Sequence, residues 1–196
     1  MKIHLAVLAA VGLLMAQVAG AQAVGSKYGL VEQTPVIEVP VSLQLFHANA
    51  PPSGCGCFWM YGGGAGVVWN LSAHWSGVVD LGRAQASKIN GTNQNLSIFN
   101  YQVGPRYSLR NHTKWTPYAQ VLLGGSEVSS NYSIYQGGKN SFSSTMGGGL
   151  TMRVSKHIGI TVAEGSWMHA QAVNGVNSRQ NNLRLTTGIV FRFPSR

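Results

Sequence analysis

Polar and apolar residues alternate with a period of two along most of this chain. Near the C-terminus Leu183, Leu185, Thr187, Ile189, Phe191 and Phe193 share one face, opposite Arg184, Thr186, Gly188, Val190 and Arg192. A strand whose side chains point alternately to an oily and a polar side carries this pattern. Phe99, Tyr101, Val103 and Tyr107 likewise oppose Asn100, Gln102, Gly104 and Arg106, and Met146, Leu150, Met152 and Val154 oppose Thr145, Gly147, Gly149, Thr151 and Arg153. Val39, Val41, Leu43 and Leu45 alternate with Pro40, Ser42 and Gln44. Extending the reading predicts eight strands, at residues 38–47, 58–70, 75–85, 95–109, 115–125, 143–154, 158–168 and 181–193. The connections between them alternate in length. Residues 71–74, 110–114 and 155–157 form short turns, whereas 48–57, 86–94, 126–142 and 169–180 are longer and rich in Asn, Ser, Gly and Gln.

Two all-β architectures produce such alternation. In a soluble sandwich the apolar face is the core, and in a small membrane barrel it meets lipid while the polar face fills the interior. The aromatic positions separate them. Trp69, Trp75, Tyr107, Trp115, Phe191 and Phe193 lie beside the short turns or the C-terminus, and Trp59, Tyr61, Phe99 and Tyr101 lie toward the long connections. Two belts at opposite ends suit a bilayer with two interfaces, and short turns on one side with long loops on the other suit an outer-membrane barrel. The pattern therefore predicts an all-β, eight-stranded antiparallel up-and-down transmembrane β-barrel over residues 38–193. A soluble periplasmic sandwich or lipid-binding barrel is the alternative.

The first residues set the compartment. Lys2 precedes an unbroken apolar run over 5–15, and Ala21-Gln22-Ala23 supplies the small residues of a cleavage site, with Ala19-Gly20-Ala21 as a rival. This predicts a cleaved secretory signal at residues 1–23, a short periplasmic segment at 24–37 and a tail at 194–196. The run falls short of the ~20 apolar residues that span a bilayer. What remains of the 196 residues is enough for one domain and too short for two. Only 10% of the chain is charged, against about 25% in a typical soluble domain, so an ordinary soluble surface is hard to build from it. A hydrophobic fraction of 44% excludes a disordered tail. Lys and Arg number 14 against 5 Asp and Glu, a net charge of +9, yet the aromatics follow the two belts and not a basic stripe. Nucleic acid is therefore not an expected partner.

Thr186-Thr187-Gly188-Ile189-Val190-Phe191-Arg192-Phe193 resembles the C-terminal strand signal of Gram-negative outer-membrane barrels, a polar residue and Gly followed by two aromatics one residue apart. It departs from many of them in that Pro194-Ser195-Arg196 follow. The chain from about Glu38 onward is similar to the OmpA-like and OmpX-like barrels. That resemblance implies recognition by the barrel assembly machinery through Thr186, Gly188, Phe191 and Phe193, residence in the outer membrane, and a monomer with a structural or surface-interaction role.

The polar parity places Asp80, Arg106, Arg153, Arg184 and Arg192 in the interior. Charge in a water-poor interior is tolerable when paired, so these residues with Glu164 are expected to form one ion-pair network that plugs a bore only wide enough for side chains. A narrow anion-preferring pore is the alternative, because arginines outnumber carboxylates. Glu164 shares its parity with Ile158, Ile160 and Val162, which would put a carboxylate against lipid at a high cost. A bulge between Val162 and Trp167, near Gly165, resolves the conflict, and a position at headgroup height is the other solution.

Other constellations are weaker. Cys55-Gly56-Cys57 in the first long loop of an exported protein favours a disulfide, but one intervening residue closes a strained ring. A redox or metal role, or an uncommitted thiol pair, stays open. Gly62-Gly63-Gly64-Ala65-Gly66 and Gly147-Gly148-Gly149 have no helix after them and are not phosphate loops, so no cofactor is expected. His74, His112 and His157 occupy separate short turns without metal-ligand spacing. His169 stands at the long-loop rim, where some outer-membrane deacylases carry His followed two residues later by Ser. Gln171 occupies that place here, so the chain is not expected to be an enzyme, and a lipid-modifying outer-membrane enzyme stands as an alternative behind the narrow pore. Lys88, Lys139 and Arg179 fall in the long loops, where lipopolysaccharide phosphates would be the nearest partners.

Overall fold

In the computed structural model the residues described are 34–48, 57–89, 93, 95–111, 113–130, 139–171 and 180–193. The predicted signal, the periplasmic segment before Thr34, Cys55, His112, Arg179 and the tail lie outside them. Eight strands follow one another: β1 (Ile37–Ala48), β2 (Phe58–Asn70), β3 (Trp75–Ala86), β4 (Leu96–Ser108), β5 (Trp115–Ser130), β6 (Lys139–Arg153), β7 (Ile158–Ala170) and β8 (Gln180–Phe193). Each pairs antiparallel with its sequence neighbours, and β1 pairs with β8 to close a barrel.

The alternation in the sequence becomes two surfaces. Leu43, at 71% exposure, heads an apolar outer wall that also includes Val41, Leu81, Val103, Leu123, Met146, Leu185 and Ile189. Trp75, Tyr107, Trp115, Phe191 and Phe193 ring this wall at the short-turn end, and Trp59, Tyr61, Phe99, Phe142 and Trp167 ring it at the long-loop end. Tyr107 packs edge-on against Trp75 at 5.1 Å across the β3–β4 pair.

Two departures from the sequence pattern have physical causes. The β5–β6 hairpin rises further than expected: residues 126–130 and 139–142 are strand, where the Ser- and Asn-rich composition predicts loop. Ser126 and Val128 are buried in the interior while Phe142 lies outside, so a period of two persists there in residues of low strand propensity. The second is the bulge in β7. Leu150 pairs with Ala163 and Thr151 with Thr161, and on the other side Thr161 pairs with Gly188 and Glu164 with Thr186. Val162 and Ala163 both face outward, and every later residue changes side, which turns Glu164 inward. The bulge thus sits at Val162–Ala163 rather than at Gly165.

The seam that closes the cylinder runs from Ile37↔Phe193 to Ala48↔Asn182. At Gly188 the β1 backbone comes so close that an added Cβ would collide with the Val41 carbonyl and lie 2.7 Å from the Ser42 Cα. A backbone neighbour cannot swing away as a side chain can. Gly188→Val is therefore expected to reduce heat-modifiable folded barrel on gels to a small fraction of the parent yield. Gly77→Ala, where an added Cβ meets nothing within 4 Å, should leave the yield unchanged. Equal yields from the two variants would show that the seam tolerates a side chain.

Candidate functional site

The interior is stratified along the barrel axis. At the long-loop end Phe46, Met60, Ile98 and Met168 pack with Phe58, Ala84, Ile89 and Val128 into a buried apolar cluster. Each large side chain there removes enough surface from water to contribute about 1.5–3 kcal/mol. Elsewhere in the interior, amides and hydroxyls bond across strands: Thr145 Oγ1 donates to Gln102 Oε1 at 2.7 Å, and Gln102 Nε2 donates to Ser143 Oγ at 2.9 Å.

Among the described residues Arg184 is the most enclosed charge, at 1% exposure. Its Nη1 donates to Asp80 Oδ2 at 2.6 Å, its Nη2 to Glu164 Oε1 at 3.1 Å and its Nε to Ser166 Oγ at 3.0 Å. The other oxygen of Glu164 accepts from Tyr118 Oη at 2.7 Å. Gly149 makes that bond possible, because a Cβ there would lie 2.7 Å from the Tyr118 hydroxyl. The Tyr118 ring carries Arg106 on its face, 4.1 Å from guanidinium carbon to centroid, and Arg106 Nη2 donates to Gln120 Oε1 at 2.6 Å. A cavity of about 30 Å³, room for about two waters, is lined by Arg106, Tyr118, Asp80 and Arg184.

A second cluster occupies the short-turn mouth. Glu38 accepts from Arg192 Nε and from Arg110 Nη2, both at 3.3 Å. Arg110 Nη2 also donates to Asn70 Oδ1 at 2.9 Å, which accepts in turn from Ser76 Oγ at 2.5 Å. Burial lowers the Arg110 guanidinium from its ordinary value, with Glu38 opposing the effect and Arg192 and Arg106 adding to it. Arg153 and Lys114 line the same mouth.

The expected single network is therefore two. Asp80, Glu164 and Arg184 come together, with Arg106 joined to them through Tyr118, whereas Arg153 and Arg192 lie at the mouth, because they are the last inward residues of β6 and β8. Glu38, Arg110 and Tyr118 escaped the sequence argument. Glu38 shares its parity with Pro40, Ser42 and Gln44, a signal sufficient to find it; Arg110 lies beyond its strand, where parity says nothing. Among the assembly-signal residues, Phe191 and Phe193 are exposed on the outer wall, and Thr186 and Gly188 face the interior. Cys57 is exposed just before β2, and its pairing with Cys55 falls outside the described residues. His169 Nδ1 bonds Asn181 Oδ1 at 2.7 Å on the outer wall, an amide rather than a nucleophile. Among the described residues no three His, Cys, Asp or Glu side chains gather as metal ligands.

Removing Arg184 would leave two carboxylates enclosed without their cation, which costs about 3–5 kcal/mol when one side of a buried pair is lost. Arg184→Met should therefore lower the denaturant midpoint of the folded barrel sharply. Adding Asp80→Asn and Glu164→Gln to it should restore much of the loss. A triple variant less stable than Arg184→Met would refute the pairing as the source.

No protein-family model matches the chain, and no curated protein matches it. Solved structures do. Neisserial surface protein A superposes with a TM-score of 0.65 at 15% identity, covering 83% of this chain and 100% of that one. Ail, the attachment invasion locus protein of Yersinia pestis, gives 0.54 at 12% identity, covering 80% and 98%. The outer membrane protein OprG of Pseudomonas aeruginosa gives 0.54 at 7% identity, covering 84% and 98%. At these identities the likeness is one of fold: the chain is an eight-stranded, all-antiparallel β-barrel of the outer-membrane type.

Proposed function

We propose that this protein spans the bacterial outer membrane after export and signal cleavage, with the short turns in the periplasm and the long loops outside. There it acts as a non-enzymatic, monomeric barrel that holds its loops at the surface. The outer wall supports the membrane reading, since an apolar girdle of this extent far exceeds the patches that water-soluble monomers expose. The observation that supports the non-conducting role is the crowded interior: Phe46, Met60, Ile98 and Met168 pack together at the long-loop end, and Arg184 with its two carboxylates lies across the bore beside a cavity of about 30 Å³. Lys88 is exposed at the long-loop side, where it would face lipopolysaccharide phosphates.

Purified folded protein in a planar bilayer should pass no steady current. Stable anion-selective channels that change when Arg106 or Arg153 is neutralised would replace this reading by a narrow pore.

The terminal strand has a second role in this proposal. Phe191 and Phe193 stand outward on the strand that must pair with β1 last, and an unpaired edge has to be recognised before the cylinder can close. Phe193→Ala is expected to remain unassembled and protease-sensitive in cells. Normal barrel yield from that variant would remove the assembly role from Phe193.

A further inference from the structure

We infer that the outer wall of β3 carries a binding site for the phosphate of a membrane lipid, built on Arg83. Among the described residues two Lys, Arg, Asp or Glu side chains stand on the outward parity of a strand, Arg83 on β3 and Glu127 on β5. A charge against hydrocarbon is costly at the bilayer centre, and the cost falls away toward the headgroups. The height at which Arg83 stands therefore decides what it meets.

That height follows from the register. Arg83 pairs with Phe99 on β4, and the next outward pair on β3 and β2 is Gln85↔Tyr61, so Arg83 lies in the aromatic belt of the long-loop end. Trp75, at the start of the same strand, belongs to the opposite belt. The stretch from Trp75 to Arg83 measures about 27 Å along a strand, or about 20 Å along the axis of a barrel whose strands tilt by ~40°, close to the full height of an apolar band of about 25 Å. Arg83 thus reaches the plane of the headgroups.

The side chain is exposed and lightly held. Its Nε donates to Ser97 Oγ at 3.3 Å, which draws the guanidinium toward β4, and no ion pair holds it among the described residues. Glu127 lies in the same transverse row beyond Phe99, two strand spacings or about 10 Å away at the backbone, and does not pair with it. The terminal nitrogens of a planar fork remain for a ligand with paired anionic oxygens, as in a lipid phosphate.

The wall beside Arg83 has room for the rest of a lipid. Across the β2–β3 pair Arg83 faces Gly63, where an added Cβ would meet only the Ser42 carbonyl, at 3.1 Å, and Ala65 follows beneath, next to Leu81. The exposed side chains of Leu43 and Val41 border this depression on the β1 side, and Tyr61 stands above it. A shallow apolar depression beneath a guanidinium at headgroup height takes an acyl chain and its phosphate together. The site rests on the membrane placement proposed above, and the two fail separately: recovery of the protein in a soluble fraction removes the placement, whereas lipid held by the purified barrel reads Arg83.

The test titrates the folded full chain in dodecyl maltoside with phosphatidylglycerol, or with a galactosyl diacylglycerol of the same acyl chains, and counts retained lipid by native mass spectrometry. Phosphatidylglycerol should be retained over the galactolipid. Its retention should fall at least about fivefold in Arg83→Gln, be partly kept in Arg83→Lys, which preserves the charge without the fork, and stay unchanged in Lys156→Gln, which removes the same charge at the short-turn end. Heat-modifiable migration checks the folding of each variant. Should Arg83→Gln fail that check, Ala65→Trp, which fills the depression and leaves the guanidinium in place, should lower phosphatidylglycerol retention severalfold. Equal retention of the two lipids, undiminished retention in the Arg83 or Ala65 variant, or an equal loss in Lys156→Gln would overturn the site.

Discussion

Closure of the sheet is the constraint on which the rest of this structure depends. A strand in hydrocarbon has no water to bond its N–H and C=O groups, so each must find a partner on a neighbouring strand and the last strand must find the first. The β1–β8 pairing supplies that, and the register from Ile37↔Phe193 to Ala48↔Asn182 fixes which side chains face inward on both strands. A slip of one residue would send Arg184 and Arg192 outward and Leu185 and Phe193 inward, so seam, interior and outer wall stand or fall together.

Closing eight strands leaves a bore narrow enough for side chains to fill, and how it is filled determines what the barrel can do. The two ends are filled differently. Methionines, phenylalanines and isoleucines at the long-loop end need no partners and exclude water. Farther in, every charge needs an opposite charge or a dipole, and Arg184 receives two carboxylates, a serine hydroxyl and, through Glu164, a tyrosine. Such an arrangement is weak evidence of net stabilisation, because desolvating three charges offsets much of their attraction. It is better read as a specification: only one register and one β7 bulge put Asp80, Glu164 and Arg184 within bonding distance.

Strand count, order and facing were legible in the sequence because the period of two survives wherever the outer wall is apolar. It failed where composition and pattern disagree. Ser126, Ser129 and Ser141 look like loop, yet they continue β5 and β6, since interior and rim positions of a barrel accept small polar residues that a soluble strand would not. The bulge was readable as a conflict, a carboxylate on the oily parity, but not as a position, because Val162, Ala163 and Gly165 are all acceptable facing outward. The apolar cluster was invisible for a different reason. Phe46, Met60 and Met168 lie on the inward parity near strand ends, where the lumen changes from polar to apolar, and alternation carries no information about depth. Arg110 lies past the end of β4, so its place beside Glu38 depends on the fold of a turn.

The distribution of charge follows from the same depth dependence. An enclosed cation far from water must be neutralised by the chain itself, and the sequence places Asp80 and Glu164 where Arg184 requires them. At the mouth solvent and small ions can reach, so the demand relaxes, and among the described residues Arg106, Arg110, Lys114, Arg153 and Arg192 line the opening with Glu38. Glu38 can therefore serve both Arg110 and Arg192, each at 3.3 Å, where the deeper Arg184 takes both Asp80 and Glu164 at 2.6 and 3.1 Å.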